Sequence, residues 1–389
     1  MKKISLLYTL CLSLLTSIFV GCSDWTDMEA KSFPEEVTSD EYYAALRAYK
    51  QSDHQVSFGW YGGWTGDGAY MKNSLAGLPD SLDIVSLWNN SKNLTEKQKK
   101  DLAFVQQVKG TKVVVCQIIG NVGDGFTPSY VTDKWEENGY GSDREAINAF
   151  WGFDETNQEA MEAAIRKYAR AVETSIRKYA KAIVDTLNLY GYDGFDIDYE
   201  PNAGPYVGNL VMSGNNSRFA IFLEELSKYL GPKSGTGKLL MIDGEPQSIT
   251  DQPQVGHYFD YFVIQAYNPG SDSNLDGRLL GGPGAYRCGL METFGKELGE
   301  ERVTNMTIMT ENFEAVDAAM NGGYSYRDRY GNSMLSLEGM ARWKPTNGFN
   351  KGGVGVYHLE AEFGTTPECK NMRKAIQIMN PSSHSLLKY

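Results

Sequence analysis

Tyr192-Asp193-Gly194-Phe195-Asp196-Ile197-Asp198-Tyr199-Glu200-Pro201 is the stretch that decides the fold. Side chains of an extended strand alternate between its faces. Phe195, Ile197 and Tyr199 therefore share one side, and Asp196, Asp198 and Glu200 the other. So regular an apolar face requires a cover of helices. In a closed parallel barrel it turns outward, and the acids then line the interior near the C-terminal mouth, where the sites of such barrels lie. Same-face positions are about 6.6 Å apart along the strand. Three carboxylates at that spacing repel one another, so at least one should hold a proton at neutral pH.

Working outward, short β-branched and aromatic runs recur at 56–60, 84–88, 112–119, 194–199, 238–242, 261–267, 305–310 and 353–357. Helical patterns separate them, for example at 95–108 and 216–229. Eight strands with intervening helices predict an α/β fold, a (β/α)8 TIM barrel with extended loops. A doubly wound sheet shares the alternation, but the glycines at Gly59, Gly62, Gly63, Gly66 and Gly68 lack the dinucleotide spacing. Between the third and fourth strands, residues 120–154 read as a long loop and 158–189 as one helix. In that helix Ile165-Arg-Lys-Tyr-Ala recurs as Ile176-Arg-Lys-Tyr-Ala. Eleven residues make about three turns, so Ile165, Tyr168, Val172, Ile176, Tyr179 and Ile183 are expected along the sheet-facing side.

Lys plus Arg number 37 against 49 Asp plus Glu, a net charge of -12. That balance argues against nucleic acid as a partner, which needs clustered cations. The four histidines stand singly, which argues against a zinc enzyme built on a histidine cluster; the expectation is of no metal and no cofactor. Aromatic residues at 12% exceed what a core needs and suit ligand platforms. At the N-terminus Lys2 and Lys3 precede an uncharged run that ends in Phe19-Val20-Gly21-Cys22, which resembles a bacterial lipobox. Residues 1–21 then read as a lipoprotein signal peptide and 22–53 as a lipidated tether with a short leading helix at 39–49. Residues 54–389 form the barrel and a C-terminal helix. The anchor at Cys22 implies an outer-membrane lipoprotein, at the cell surface or on the periplasmic face. Cys116 falls in an apolar run, and Cys288 and Cys369 are left open as a pair.

On the residues alone, the acid strand fits carbohydrate hydrolysis, a divalent-metal site or structural acids. The segment from Asp193 to Glu200 resembles the D-G-x-D-x-D-x-E signature of glycoside hydrolase family 18, the chitinases and endo-β-N-acetylglucosaminidases. Gln265-Ala266-Tyr267-Asn268 resembles that family's sixth strand end. The resemblance implies that Glu200 is the general acid and then the base, and that Asp198 orients the substrate's 2-acetamido group. Asp196 shares a proton with Asp198, Tyr267 donates to the acetamido group, and Asn268 and Gln265 bond around it. The family's serine-glycine motif on the third strand is replaced by Cys116-Gln-Ile-Ile-Gly120, and its terminal tryptophan by Tyr357 or His358.

These features resemble most the bacterial endoglycosidases that cut the GlcNAc-β-1,4-GlcNAc bond of the N-glycan core with retention. N-linked glycans or glycoproteins are then the implied partners. A chitinase-like hydrolase of GlcNAc oligomers and a non-catalytic glycan-binding protein are the alternatives. Trp60, Tyr61, Trp64 and Trp88 are candidate stacking surfaces for sugar rings, and Tyr357 is a candidate floor. Asp243, Glu245 and Glu311 are candidate substrate contacts at strand ends.

Overall fold

The computed structural model describes residues 40–67, 71–123, 125–283 and 288–381. Seven successive parallel strands and a last one close a barrel: β1 (Val56–Tyr61), β2 (Ile84–Leu87), β3 (Lys112–Ile118), β4 (Gly194–Tyr199), β5 (Leu239–Gly244), β6 (Tyr261–Gln265), β7 (Thr307–Asn312) and β10 (Gly353–Tyr357). Their order around the barrel is β1-β10-β7-β6-β5-β4-β3-β2. This is a (β/α)8 TIM barrel. All residues of β1 and β2 are buried, because parallel strands are covered on both faces.

The alternation read from β4 sorts the core into two layers. Phe195, Ile197 and Tyr199 join the outer layer, with Ile176, Ala180, Val184 and Leu187 of the helix Gln158–Tyr190. Tyr199 also stacks on Phe219 with ring centroids 4.7 Å apart. Inside the barrel lie Val56, Phe58, Trp60, Ile84, Val114, Met241, Val263 and Ile308. Apolar filling closes the lower barrel, so polar chemistry is confined to the mouth.

The helix Gln158–Tyr190 has 33 residues, about 50 Å at 1.5 Å per residue. A six-residue strand spans only about 20 Å, so the first turns overhang the barrel. Val172, Ile176 and Ile183 are buried as expected, but Ile165 is 52% exposed. It shares the face of Ile176 at a height where no sheet remains. The overhang packs instead on the 120–154 segment: Tyr168 meets the edge of Trp151 at 5.1 Å. That segment is not the plain loop expected, since it folds helices at Ser129–Thr132 and Asp143–Trp151. Ser142 caps the second by accepting from the amide of Glu145.

Helix Asp40–Gln51 docks by way of Tyr42 to Lys50 against the residues that precede β2 and β3. Lys50 donates to the Leu82 carbonyl at 2.7 Å and to Thr111 Oγ1 at 2.6 Å. Between β7 and β10 a small antiparallel hairpin, β8 (Ser325–Arg327) with β9 (Ser333–Leu335), was not foreseen. Arg329 at its tip pairs with Asp272 at 2.8 Å and Asp276 at 3.2 Å. Cys288 and Cys369 are both free thiols. Among the described residues no helix is long and apolar enough to cross a membrane. Residues 1–39, which include the signal peptide, Cys22 and the first part of the tether, lie outside the described residues.

Candidate active site

Strand register assembles the mouth. Asp196 stands beside Cys116 of β3 and Met241 of β5, and Asp198 stands beside Ile118 and Asp243. Asp196 is fully buried, and its Oδ2 accepts from Trp60 Nε1 at 3.0 Å and Ser86 Oγ at 2.8 Å. Asp243 is also buried; its Oδ1 accepts from Gln265 Nε2 at 3.0 Å, and Cys116 Sγ lies 3.7 Å from its Oδ2. Asp196 Oδ1 and Asp198 Oδ1 are buried with no donor among the described residues.

Loss of water dominates the electrostatics. Burial pushes the Asp196 carboxyl up to about 6, against the hydrogen bonds from Ser86 and Trp60. Burial, then the charges of Glu200 and Asp196, push Asp198 up to about 7. Asp243 is raised as well, by burial and then by the charges of Asp198 and Asp196. Tyr267 is held firmly protonated, mainly by burial and secondarily by Asp243, so its hydroxyl can act as a donor. Burial likewise keeps the Cys116 thiol protonated, which makes it a poor nucleophile or metal ligand although its Sγ lies within 4.8 Å of oxygens of Asp196 and Asp243.

Two cavities meet here. The smaller, about 520 Å³, is walled by Trp60, Trp88, Asp198, Asp243, Tyr267 and Tyr357, with Gln117, Tyr206, Asn312 and Glu314 at its sides. The larger, about 870 Å³, runs over Gly244, Glu245, Gln247, Asn268, Asn274 and Arg278. Glu200, Gln265 and Tyr267 border both. Aromatic rings cluster on the smaller side, where Tyr357 lies 6.2 Å from Tyr267 nearly parallel, and Trp88 lies 6.0 Å from Tyr357.

The sequence candidates divide accordingly. Glu200, Asp198, Tyr267, Gln265, Trp60, Trp88, Asp243 and Tyr357 line the smaller cavity, and Asn268 and Glu245 the larger. Asp196 lies beneath, and Glu245 Oε2 also accepts from Asn202 at 2.6 Å. Three expectations are corrected. Tyr61 and Trp64 are fully buried in the outer core and present no ring face; Trp64 Nε1 donates to Asp101 at 2.8 Å and Tyr61 Oη to the Lys72 carbonyl. Glu311 is buried too, and its Oε1 accepts from the amides of Asn268 at 2.7 Å and Asn312 at 2.8 Å. It therefore clamps Asn268 in a left-handed backbone conformation, φ 51°, which asparagine tolerates. Gln117, Tyr206, Asn312 and Glu314 were not selected from sequence. The first and third adjoin strand ends, which was the available signal; Tyr206 comes from the long β4 loop and carried none.

A parallel barrel whose mouth holds an aromatic cleft and paired carboxyl groups is the frame of a glycoside hydrolase. The chain matches the model of glycoside hydrolase family 18, BT1044-like, over residues 21–378, and it belongs to that family. It is 26% identical over 404 residues to endo-β-N-acetylglucosaminidase F2 of Elizabethkingia meningoseptica, with 98% of this chain and all of that protein covered. Among solved structures it is similar to BT1044, with 29% identity, a TM-score of 0.65 and 88% of this chain covered against 93% of that one. An endo-β-N-acetylglucosaminidase of Cordyceps militaris shares the fold at 21% identity and a TM-score of 0.51, covering 87% of this chain and 95% of its own.

Proposed function

We propose that the chain is an endo-β-N-acetylglucosaminidase that hydrolyses the GlcNAc-β-1,4-GlcNAc bond of the N-glycan core, with retention and with help from the substrate. The observation that carries this is the position of Glu200 on the wall between two cavities. A proton donor must face the oxygen being cleaved, with one sugar on each side of it. The smaller cavity holds Asp198 and Tyr267, so it takes the GlcNAc whose anomeric carbon reacts, above Tyr357 and beside Trp88. The larger, more polar cavity takes the leaving sugar and what it is attached to.

In this reading Glu200 gives its proton to the leaving oxygen as the C1–O bond breaks. The acetamido carbonyl oxygen attacks C1, while Asp198 accepts the acetamido N–H and Tyr267 donates to the same group. The product of this step is an oxazolinium ion and a freed sugar hydroxyl. Glu200, now a carboxylate, takes a proton from water as that water opens the ring at C1, which restores the acid and keeps the original configuration. The similarity to a relative named as an endo-β-N-acetylglucosaminidase supports the substrate class.

Incubation of the mature chain with an N-glycoprotein should leave one GlcNAc on asparagine, read as a mass change. Release of GlcNAc oligomers from chitin alone, or binding without cleavage, would favour the chitinase-like or non-catalytic alternatives. Replacing the 2-acetamido group of the cleaved sugar by hydroxyl should abolish turnover. The lipobox-like junction supports an anchor at Cys22 in the outer membrane. Cys22→Ala should release the processed protein from the membrane fraction.

A further inference from the structure

The mouth holds one buried carboxyl group more than this division of labour uses. Asp243 projects from β5 beside Asp198, and one of its carboxyl oxygens lies within 4.8 Å of an oxygen of Asp196, so a hydrogen on it is close to both acids of β4. Two carboxylates cannot hydrogen-bond without a proton, since neither is a donor when ionised. Both β4 acids also have a buried oxygen that no donor reaches among the described residues. A hydrogen held within the three carboxyl groups would serve either of these oxygens. Asp243 Oδ1 accepts from the Gln265 amide and Oδ2 from the Cys116 thiol, so a protonated Oδ2 keeps a lone pair for the thiol and offers its hydrogen to a β4 acid.

We propose that Asp243 is a positioning residue that stays neutral and gives its single hydrogen bond to Asp196 or to Asp198 in turn. In the resting enzyme the hydrogen lies toward Asp198. When the acetamido N–H occupies Asp198, as the proposed function requires, the hydrogen swings to Asp196, so neither buried carboxylate is left without a donor. No bond other than the hydrogen bond changes, and the proton remains on Asp243.

The surroundings favour Asp243 as the holder. The titratable groups that face it are Asp196 and Asp198 of β4, Cys116 of β3 and Tyr267 beyond β6; the last two are themselves held protonated. Among the described residues no lysine, arginine or histidine pairs with any of the three acids. Burial, then the charges of Asp198 and Asp196, raise Asp243, and its hydrogen lowers the pKa of each of them. A fully buried carboxyl group flanked by two acids and no cation is a suitable holder of the proton.

Asp243→Asn is nearly isosteric and tests the idea, because its amide donates without titrating. Infrared spectra of protein labelled with 13C-carboxyl aspartate should show a neutral acid band at about pH 8.5, where Asp196 and Asp198 are ionised. Asp243→Asn should lose that band. Its acidic limb of kcat/KM should move down by about one pH unit, because fixed N–H donors favour the ionised pair. Absence of the band in the wild type, its survival in the variant, or superimposable pH profiles would overturn the proposal. So would stoichiometric binding of Mn2+ or Zn2+ that Asp243→Asn abolishes. The infrared result needs no substrate and decides the proposal even if the wild type is inactive on glycoproteins, which would sink the glycan reading alone.

Discussion

Buried acids occur at both ends of the barrel, and they are treated in opposite ways. At the entry end, Asp83 accepts from the Ser57 amide at 2.8 Å, Ser57 Oγ at 2.8 Å and His54 Nε2 at 3.0 Å. Nearby, Asp80 pairs with Lys109 at 2.7 Å. At the exit end, Asp196, Asp198 and Asp243 have neutral donors and one another. The buried carboxylate oxygens left without a donor among the described residues are Asp196 Oδ1, Asp198 Oδ1 and Glu311 Oε2, all on β4 or β7. One end spends its acids on fixing the strand starts. The other keeps protons loosely assigned, which costs stability and is what proton transfer requires.

The contrast can be broken most forcefully at Glu200. Glu200→Gln removes the transferable proton and should slow turnover by on the order of 10²- to 10⁴-fold, with unfolding in urea unchanged. Wild-type activity in that variant would end the assignment. Asp83→Ala is its mirror image. Three donors lose their acceptor, so stability should fall by about 2–4 kcal/mol, while kcat below the melting range stays near wild type. A collapse of kcat in the folded variant would erase the distinction between the two ends.

A finer test lies in the sign of the pH dependence. Asp198 has a folded pKa raised to about 7, so its protonated form favours the fold. Its contribution is fully present below the unfolded value near 4 and is lost as pH rises through about 7. Asp198→Asn should therefore raise the unfolding free energy at pH 7 by on the order of 1–3 kcal/mol. Near pH 4 the advantage should vanish. Asp80 behaves oppositely: despite burial, Lys109 and Tyr42 hold its pKa low, so its contribution is present above the unfolded value and is lost as pH falls through the lowered one. An Asp198→Asn melting curve that tracks the wild type from pH 4 to 7 would count against a strained mouth. The smallest effect is expected for Tyr267→Phe. One neutral hydrogen bond, about 0.5–1.5 kcal/mol, should lower kcat/KM by roughly tenfold or less.

The strand pattern was legible wherever local alternation was strong. Gly194–Tyr199 and Gly353–Tyr357 coincide with the expected runs, and β5 and β7 are displaced by one or two residues. The same rule could have separated the aromatics of the first loop. Trp60 and Tyr61 are adjacent in an extended strand, so only one of them can face the barrel interior. Trp60 does, and it reaches Asp196. Trp64 is governed by Asp101, a partner 37 residues away that no local pattern announces. Ile165 shows the complementary failure, because periodicity gives a face of a helix but not the point where the sheet beneath it stops.

By itself the sequence determined the class of fold and the side of β4 that carries the acids, because backbone geometry makes side-chain direction a property of position within one strand. Tertiary structure alone decided that Asp243 joins those acids. Asp198 and Asp243 are 45 positions apart in the chain and become neighbours through the register of β4 against β5. It also decided which carboxyl groups keep a proton, since that depends on how much water the closed barrel removes from each and on which donors the neighbouring strands bring.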